Sequence, residues 1–261
     1  MSGGGRVRAD ELMVRQGLAP SRSQAKVLIL AGKVRTPEGR VQKPAELLPV
    51  DTKLALEQGP RYVSRGGLKL EAALDTFEID VDGLVAADLG ASTGGFTDCL
   101  LQHGAKRVYA IDVGYGQLDY RLRKDPRVVV MERTNARYLE ALPEPVDIVV
   151  IDTSFISLKL ILPTARRISR KDGQIVALIK PQFEAGREAV GRRGVVKDEK
   201  IRKRAVRDVL EFARDEGMRL RGLARSPIAG PAGNEEFLAY FSLDETQPAI
   251  PIDDALRDVF G

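Results

Sequence analysis

The run VAADLGASTGGFTDCLL, residues 85–101, constrains the fold of this chain more than any other stretch. An apolar segment ends at Asp88, breaks at Gly90-Ala91-Ser92-Thr93-Gly94-Gly95, and resumes with an amphipathic pattern. That order is a strand, a tight glycine turn and a helix. In an open α/β sheet such a turn receives a nucleotide-like ligand, because glycines let the backbone come close to it. Thr97 or Asp98 is placed to cap the helix. The spacing is G-x-x-x-G-G, not the G-x-G-x-x-G of dinucleotide enzymes, and there is no phosphate-loop G-K-[ST]. Alone, the stretch also admits the plainer reading of a glycine turn closing an ordinary βα unit.

The residues downstream extend the pattern. RVYAIDVG predicts a second strand ending near Asp112, RVVVMERTNA a third, and VDIVVIDTSF a fourth ending at Asp152. SLKLILPTARRIS predicts a helix, and GQIVALIKPQFE a fifth strand ending at Lys180. A long helix from DEKIRKR and two strands in MRLRGLARSPIAGPAGNEEFLAYFSL close the series. Repeated βα units predict a mostly parallel sheet covered by helices, with the last two strands as an antiparallel edge. Ligands of such sheets bind beyond the carboxyl ends of the strands, where Gly90, Asp112, Asp152 and Lys180 all fall.

Ahead of this lies a smaller module. RVRADELMVRQG predicts a short helix stopped by Gly17; a second helix runs from Ser21 or Ser23 to Gly32, and then come short strands broken by Pro44 and Pro49. The chain carries 41 Lys/Arg and 37 Asp/Glu, and the first 60 residues hold ten and six of these, so the whole excess of +4 sits there. A basic module beside a neutral body suits a polyanion partner. The expected organisation is a binding domain over 1–59, a basic linker over 60–67 and a larger domain over 68–261.

Composition excludes several classes. No apolar run approaches the length of a membrane span and the N-terminus lacks an apolar signal core, so a soluble, cytoplasmic protein is expected. One cysteine, Cys99, rules out an internal disulfide and fits a reducing compartment. The single histidine, His103, lies four residues on and could share its helix face. Two such residues make no structural metal site, so no metal is expected.

The residues also carry a resemblance. RVRADELMVRQGLAPSRSQAKVLILAGKVRT resembles the RNA-binding module first recognised in a small-subunit ribosomal protein, which places Arg22, Lys26, Lys33 and Arg35 on an RNA-facing surface. DLGASTGGFTD, AIDVGYGQL, DTSFISL, IKPQFE and GNEEF, in that order, resemble the FtsJ-like ribose 2′-O-methyltransferases, and with the N-terminal module the TlyA family of rRNA cytidine 2′-O-methyltransferases, often called haemolysins. The resemblance implies a Rossmann-like methyltransferase sheet joined to a small α+β RNA-binding domain, S-adenosylmethionine as cofactor and ribosomal RNA as partner. It places a catalytic Lys-Asp-Lys-Glu set on Lys69, Asp152, Lys180 and Glu236, with Glu235 left open as an alternative for the last. The cofactor would be held by Asp88, Gly90, Ala91, Ser92, Thr93, Gly94, Gly95, Asp112 and Asp152.

The chemistry suits that set. A ribose hydroxyl is a weak acid that must lose its proton as it attacks, and lysine becomes a usable base only when desolvated or beside another cation. Lys180, just before Pro181, is the expected base or polariser and Lys69 the residue that positions the ribose. Arg65, Arg192, Arg193 and Lys197 are expected to contact RNA phosphates, although a solvated basic face reads the same way. Competing readings are a nicotinamide oxidoreductase, a membrane-active haemolysin and an RNA-binding protein without turnover. The target nucleotide, the ribosomal subunit and the oligomeric state are not legible in the sequence.

Overall fold

The structure, a computed structural model, describes residues 5–57, 59–191 and 194–261. Contacts divide the chain between Arg61 and Tyr62 into two units.

In the first unit the opening residues form a strand, β1 (Arg6–Arg8), not the start of the expected helix, which is α1 (Ala9–Arg15). β1 pairs antiparallel with β4 (Leu47–Pro49), a partnership about forty residues distant that no local pattern announces. α2 (Arg22–Leu30) is capped by Ser21, whose hydroxyl accepts from the Gln24 N–H. β2 (Val34–Thr36) lies between β3 (Gly39–Arg40) and β5 (Ala55–Leu56). Leu12, Met13, Ala25, Ile29 and Val34 are among the side chains of its small core. Asp10 is fully buried at the edge of that core and is paired by Arg8 at 3.0 Å and Arg22 at 3.2 Å. The Arg8 hydrogen bonds, with those of Arg22, hold its carboxyl below the usual range.

The second unit opens with α3 (Gly66–Thr76). β6 (Val85–Leu89), α4 (Gly95–Gln102) and β7 (Arg107–Ile111) come after it, then α5 (Tyr120–Lys124) and β8 (Val128–Met131). β9 (Val146–Ile151), α6 (Leu162–Ile168) and β10 (Ser169–Ile179) are next, then α7 (Pro181–Glu184) and α8 (Glu199–Asp215). β11 (Arg219–Arg225), β12 (Phe237–Ser242) and α9 (Ile252–Phe260) end the chain. The sheet runs β11-β12-β10-β9-β6-β7-β8. β10, β9, β6, β7 and β8 are parallel, while β12 and β11 form the expected antiparallel edge.

Alternation along each strand decides which layer a side chain joins. Val85, Ala87 and Leu89 of β6 face the core under α6 and α8, whereas Ala86 faces the one under α3 and α4. Asp88 shares the second face, which sets its carboxyl against α4. The order reverses at β6, with β7 and β8 on one side and β9 and β10 on the other. A crevice therefore opens where the tips of β6 and β9 part.

Candidate active site

The glycine turn after β6 is built around that parting. Gly90 sits at φ +90°, and a Cβ there would lie 2.8 Å from the Asp152 carbonyl oxygen at the tip of β9. Only glycine lets the two strand ends come this close. The Asp152 N–H donates to the Leu89 carbonyl at 3.1 Å, and the Gly90 N–H to that of Ile111 at 2.9 Å. The expected cap of α4 is not found. Gly94, at φ +95°, occupies the N-cap position, and neither Thr97 nor Asp98 caps the helix. Thr97 instead donates to Asp88 Oδ2 twice, from its N–H at 3.0 Å and its hydroxyl at 2.7 Å, while Asp98 accepts from the Val63 N–H. Thr97 is the third residue of α4, so the buried aspartate of β6 accepts from the first turn of the helix.

Asp88 is wholly buried, and among the described residues its Oδ1 has no partner. Burial pushes its carboxyl up to about 7, Asp152 and Asp112 add to the rise, and the Thr97 hydrogen bonds oppose it. Asp112, beyond the tip of β7, accepts from the Ser92 N–H at 2.8 Å and the Gly114 N–H at 2.7 Å. It thereby ties the glycine turn to the next loop.

Two cavities adjoin here. One, of about 450 Å³, is lined by Ser92, Asp112, Val113, Asn135 and Phe155 among others. The second, of about 300 Å³, is lined by Lys69, Asp88, Asp152, Lys180 and Glu236, with Ala91, Thr93, Gly95 and Arg65 also on its wall. Gly90, Ser92, Asp152 and Ser154 belong to both. Gly94 lines neither; it packs towards Leu118 and Leu122.

Lys69, Asp152, Lys180 and Glu236 come from α3, the tips of β9 and β10, and the residue before β12, and the fold gathers them round one space. Lys180 Nζ lies 2.6 Å from Asp152 Oδ1 and donates to the Ser154 hydroxyl at 2.9 Å. Lys69 Nζ donates to Glu236 Oε2 at 2.5 Å. Both lysines are 8% exposed and Glu236 is 2% exposed, so neither lysine is a surface side chain reaching for water. Glu235 faces away, paired with Arg202 at 2.8 Å and Arg225 at 2.9 Å.

Several further residues lie inside the quoted motifs without being singled out there, because only their distant partners give them a place in the site. Ser154 and Gln182 touch the charged set, Gln182 Nε2 donating to Glu236 Oε1 at 3.3 Å. Glu184 of α7 accepts from the Ser157 hydroxyl and the Leu158 N–H, anchoring the loop after Asp152. Burial raises the Glu184 carboxyl above its ordinary range. Asn234 is buried and bonds the Val196 N–H and the Gly194 carbonyl, fixing the basic loop to the turn before β12. Cys99 and His103 do share a helix face, Sγ to Nδ1 at 3.6 Å. Among the described residues no group of three His, Cys, Asp or Glu is placed to hold a metal, and no helix is long and apolar enough to cross a membrane.

Of the expected RNA contacts, Lys26, Lys33, Arg65 and Lys197 are exposed. Arg22 is engaged by Asp10 and Arg35 by Glu57. Arg192 and Arg193 lie outside the described residues.

Comparison with known proteins decides the family. A family model described as FtsJ-like methyltransferase matches residues 62–243, and one described as S4 domain matches residues 7–52. Over 258 residues the chain is 47% identical to the 16S/23S rRNA (cytidine-2′-O)-methyltransferase TlyA of Mycobacterium tuberculosis, covering 97% of this chain and 96% of that protein. This chain belongs to the TlyA family of FtsJ-like methyltransferases. A relative named Hemolysin A, from Brachyspira hyodysenteriae, is 41% identical over 90% of this chain and 99% of its own length. Among solved structures, a proposed haemolysin of Streptococcus thermophilus superposes with a TM-score of 0.72 at 45% identity, covering 98% of this chain and 96% of that one. The TlyA-family assignment thus spans both units, the S4 domain falling in the first and the methyltransferase in the second.

Proposed function

We propose that the protein transfers a methyl group from S-adenosylmethionine to the ribose 2′-hydroxyl of a cytidine in ribosomal RNA. The observation that carries this reading is the convergence of Lys69, Asp152, Lys180 and Glu236 on one cavity beside a nucleoside-sized crevice.

The residues present fit the cofactor. Asp112 offers acceptors for a ribose diol, Val113 and Ile111 offer apolar wall to an adenine, and Asp88, on the wall of the adjoining cavity, offers a cationic group an Oδ1 that has no partner among the described residues. When bound, S-adenosylmethionine supplies an electrophilic methyl carbon on a sulfonium that leaves as a neutral thioether. The chain's own part is to align and to stabilise charge. Lys180, steadied by Asp152 and Ser154, meets the attacking oxygen, and the hydroxyl proton is taken up within the Lys180–Asp152 pair as the oxygen–methyl bond forms. Lys69, held by Glu236, positions the ribose. Lys26 and Lys33, exposed and without ion-pair partners among the described residues, supply phosphate contacts from the S4 domain, and Arg65 and Lys197 supply them from the methyltransferase unit.

Lys180→Ala should lower methyl transfer to ribosomal RNA by at least ~10²-fold, the scale of a lost proton-transfer group. Its affinity for S-adenosylmethionine, measured separately by calorimetry, should survive. Turnover near wild type would remove Lys180 from the chemistry.

A further inference from the structure

Lys180 belongs to a circuit of loop and turn that closes on itself. Its backbone is the N-cap of α7, a single helical turn. At the far end of that turn Glu184 accepts from the Ser157 hydroxyl at 2.6 Å and the Leu158 N–H at 2.8 Å. From Ser157 the chain leads back to Ser154, whose hydroxyl accepts from Lys180 Nζ at 2.9 Å. The backbone of Lys180 and the tip of its side chain are therefore both members of one ring of covalent and hydrogen bonds. Phe183 packs within it, its ring centre 5.1 Å from that of Phe155 and 5.8 Å from Lys180 Nζ.

Two features of this ring cost free energy and ask for a reason. Glu184 is a half-buried carboxyl. Burial raises it, Asp208 of α8 adds to the rise, and the Ser157 and Leu158 hydrogen bonds and Lys159 oppose it. An apolar side chain of that size would fill the same space without the desolvation. Phe155, between Ser154 and Ser157, has a left-handed backbone, φ +63°. For a residue other than glycine that costs about 1–3 kcal/mol, and it lasts only where the surroundings enforce it. One end of the loop is held at Asp152, whose N–H donates to the Leu89 carbonyl. Glu184 holds the other end, where Ser157 also caps the short turn Leu158–Leu160 by accepting from the Lys159 N–H at 3.2 Å.

We propose that Glu184 is a positioning residue for methyl transfer: it clips the loop after β9 to α7, keeps the Ser154 hydroxyl on Lys180, and so fixes the direction in which Lys180 Nζ meets the attacking oxygen. This rests on the reading of the cavity as the site of ribose methylation. Lysine is a point charge on a flexible stem. The Asp152 contact at 2.6 Å fixes how far Nζ lies from one carboxylate oxygen and leaves it free to swing about that oxygen. Ser154 is the second partner that removes the swing, and Ser154 is only as steady as its loop. Proton transfer and attack both depend on alignment, and a displacement near 1 Å costs ~10²-fold. Glu184 lines neither cavity, so its effect on the reaction passes through the loop.

The test uses the full-length protein, ribosomal RNA and saturating methyl-labelled S-adenosylmethionine, with active sites counted by the stoichiometry of cofactor binding. Glu184→Leu keeps the bulk and loses the acceptors. Its kcat per active site should fall roughly ten- to a hundred-fold, with KM for RNA unchanged. Glu184→Gln should recover most of the rate, because its amide oxygen accepts from the Leu158 N–H while its amide N–H donates to the Ser157 hydroxyl. Ser154→Ala should also lower kcat. The double variant should be no slower than the slower single, since both changes remove the same constraint on Lys180. A role in folding alone would lower the melting temperature or the number of active sites and leave kcat per site in place. Should Glu184→Leu not fold, Ser157→Ala, which takes the hydroxyl from the other side of the clip, replaces it with the same expected non-additivity. Wild-type kcat per site in the folded variant, or losses that multiply in the double variant, would overturn the clip while the wild-type protein still labels ribose. A wild-type protein that labels no ribose would instead sink the reading of the reaction, and the clip with it.

Discussion

At Asp88 the fold buries a carboxyl completely and, among the described residues, satisfies one of its two oxygens. Its value is raised to about 7, chiefly by burial. A carboxyl raised in the folded state stabilises most below its unfolded value and loses that contribution as pH climbs through the folded value. The cofactor-free protein should therefore lose stability between about pH 4 and pH 7 on account of this group. Asp88→Asn keeps an acceptor for Thr97 and removes the charge. It should stabilise the cofactor-free protein at pH 8, by on the order of 2–4 kcal/mol, with little gain at pH 4. The same change should weaken S-adenosylmethionine binding, because the partnerless oxygen is then no longer anionic. Melting curves at the two pH values and a binding isotherm check both; a variant no more stable at pH 8 would contradict the assignment of the strain to Asp88. Lys69 and the two adjacent glutamates show what one residue's sequence context conceals. A lysine on a helix start reads as surface, and its burial depends on Glu236, 167 positions away. Nothing local distinguishes Glu235 from Glu236; the Arg202 and Arg225 side chains draw the first outward and leave the second to Lys69.

Among the elements, the strand–turn–helix at β6 is legible because sterics require glycine at named positions. Gly90→Ala would place a methyl against the Asp152 carbonyl in a backbone conformation that alanine resists. Strain of this kind costs about 1–3 kcal/mol, and relief would push the tips of β6 and β9 apart. A melting temperature lowered by several degrees with loss of cofactor binding is expected; a variant that melts and binds like wild type would show that the tips do not set the crevice. Periodicity also locates β7, β9, β10 and α8 and the antiparallel closing pair. It fails where a partner far along the chain decides. β1 is three residues long and exists because β4 pairs with it. The cap position of α4 falls at Gly94 because the helix begins at Gly95, earlier than expected, so that Thr97 lies inside its first turn and bonds Asp88. α5 and α7 are too short to show a helical period. α9, absent from the expected elements, packs Phe260 on Phe237 and gives its Val259 carbonyl to Arg225.

For the molecule as a whole, length and charge distribution point to two parts, and the contacts divide at Arg61, near the expected linker. The basic excess of the first sixty residues is partly spent inside that unit: Arg8 and Arg22 hold Asp10, and Arg35 and Arg40 hold Glu57. That is why a count of charges overstates the RNA-facing cations there and why Lys26 and Lys33 stand out. In the second unit the charged groups of the site come from α3, β9, β10 and the turn before β12, so no single motif could define it. The chemistry assigned to that site is methylation of a ribose oxygen of RNA. To measure it directly, purified protein is incubated with ribosomal RNA and methyl-labelled S-adenosylmethionine, the RNA is digested to nucleosides, and the labelled species is identified. Label in 2′-O-methylcytidine, abolished by Lys180→Ala, is expected; label in a base-methylated nucleoside, or none in RNA, would contradict the assignment.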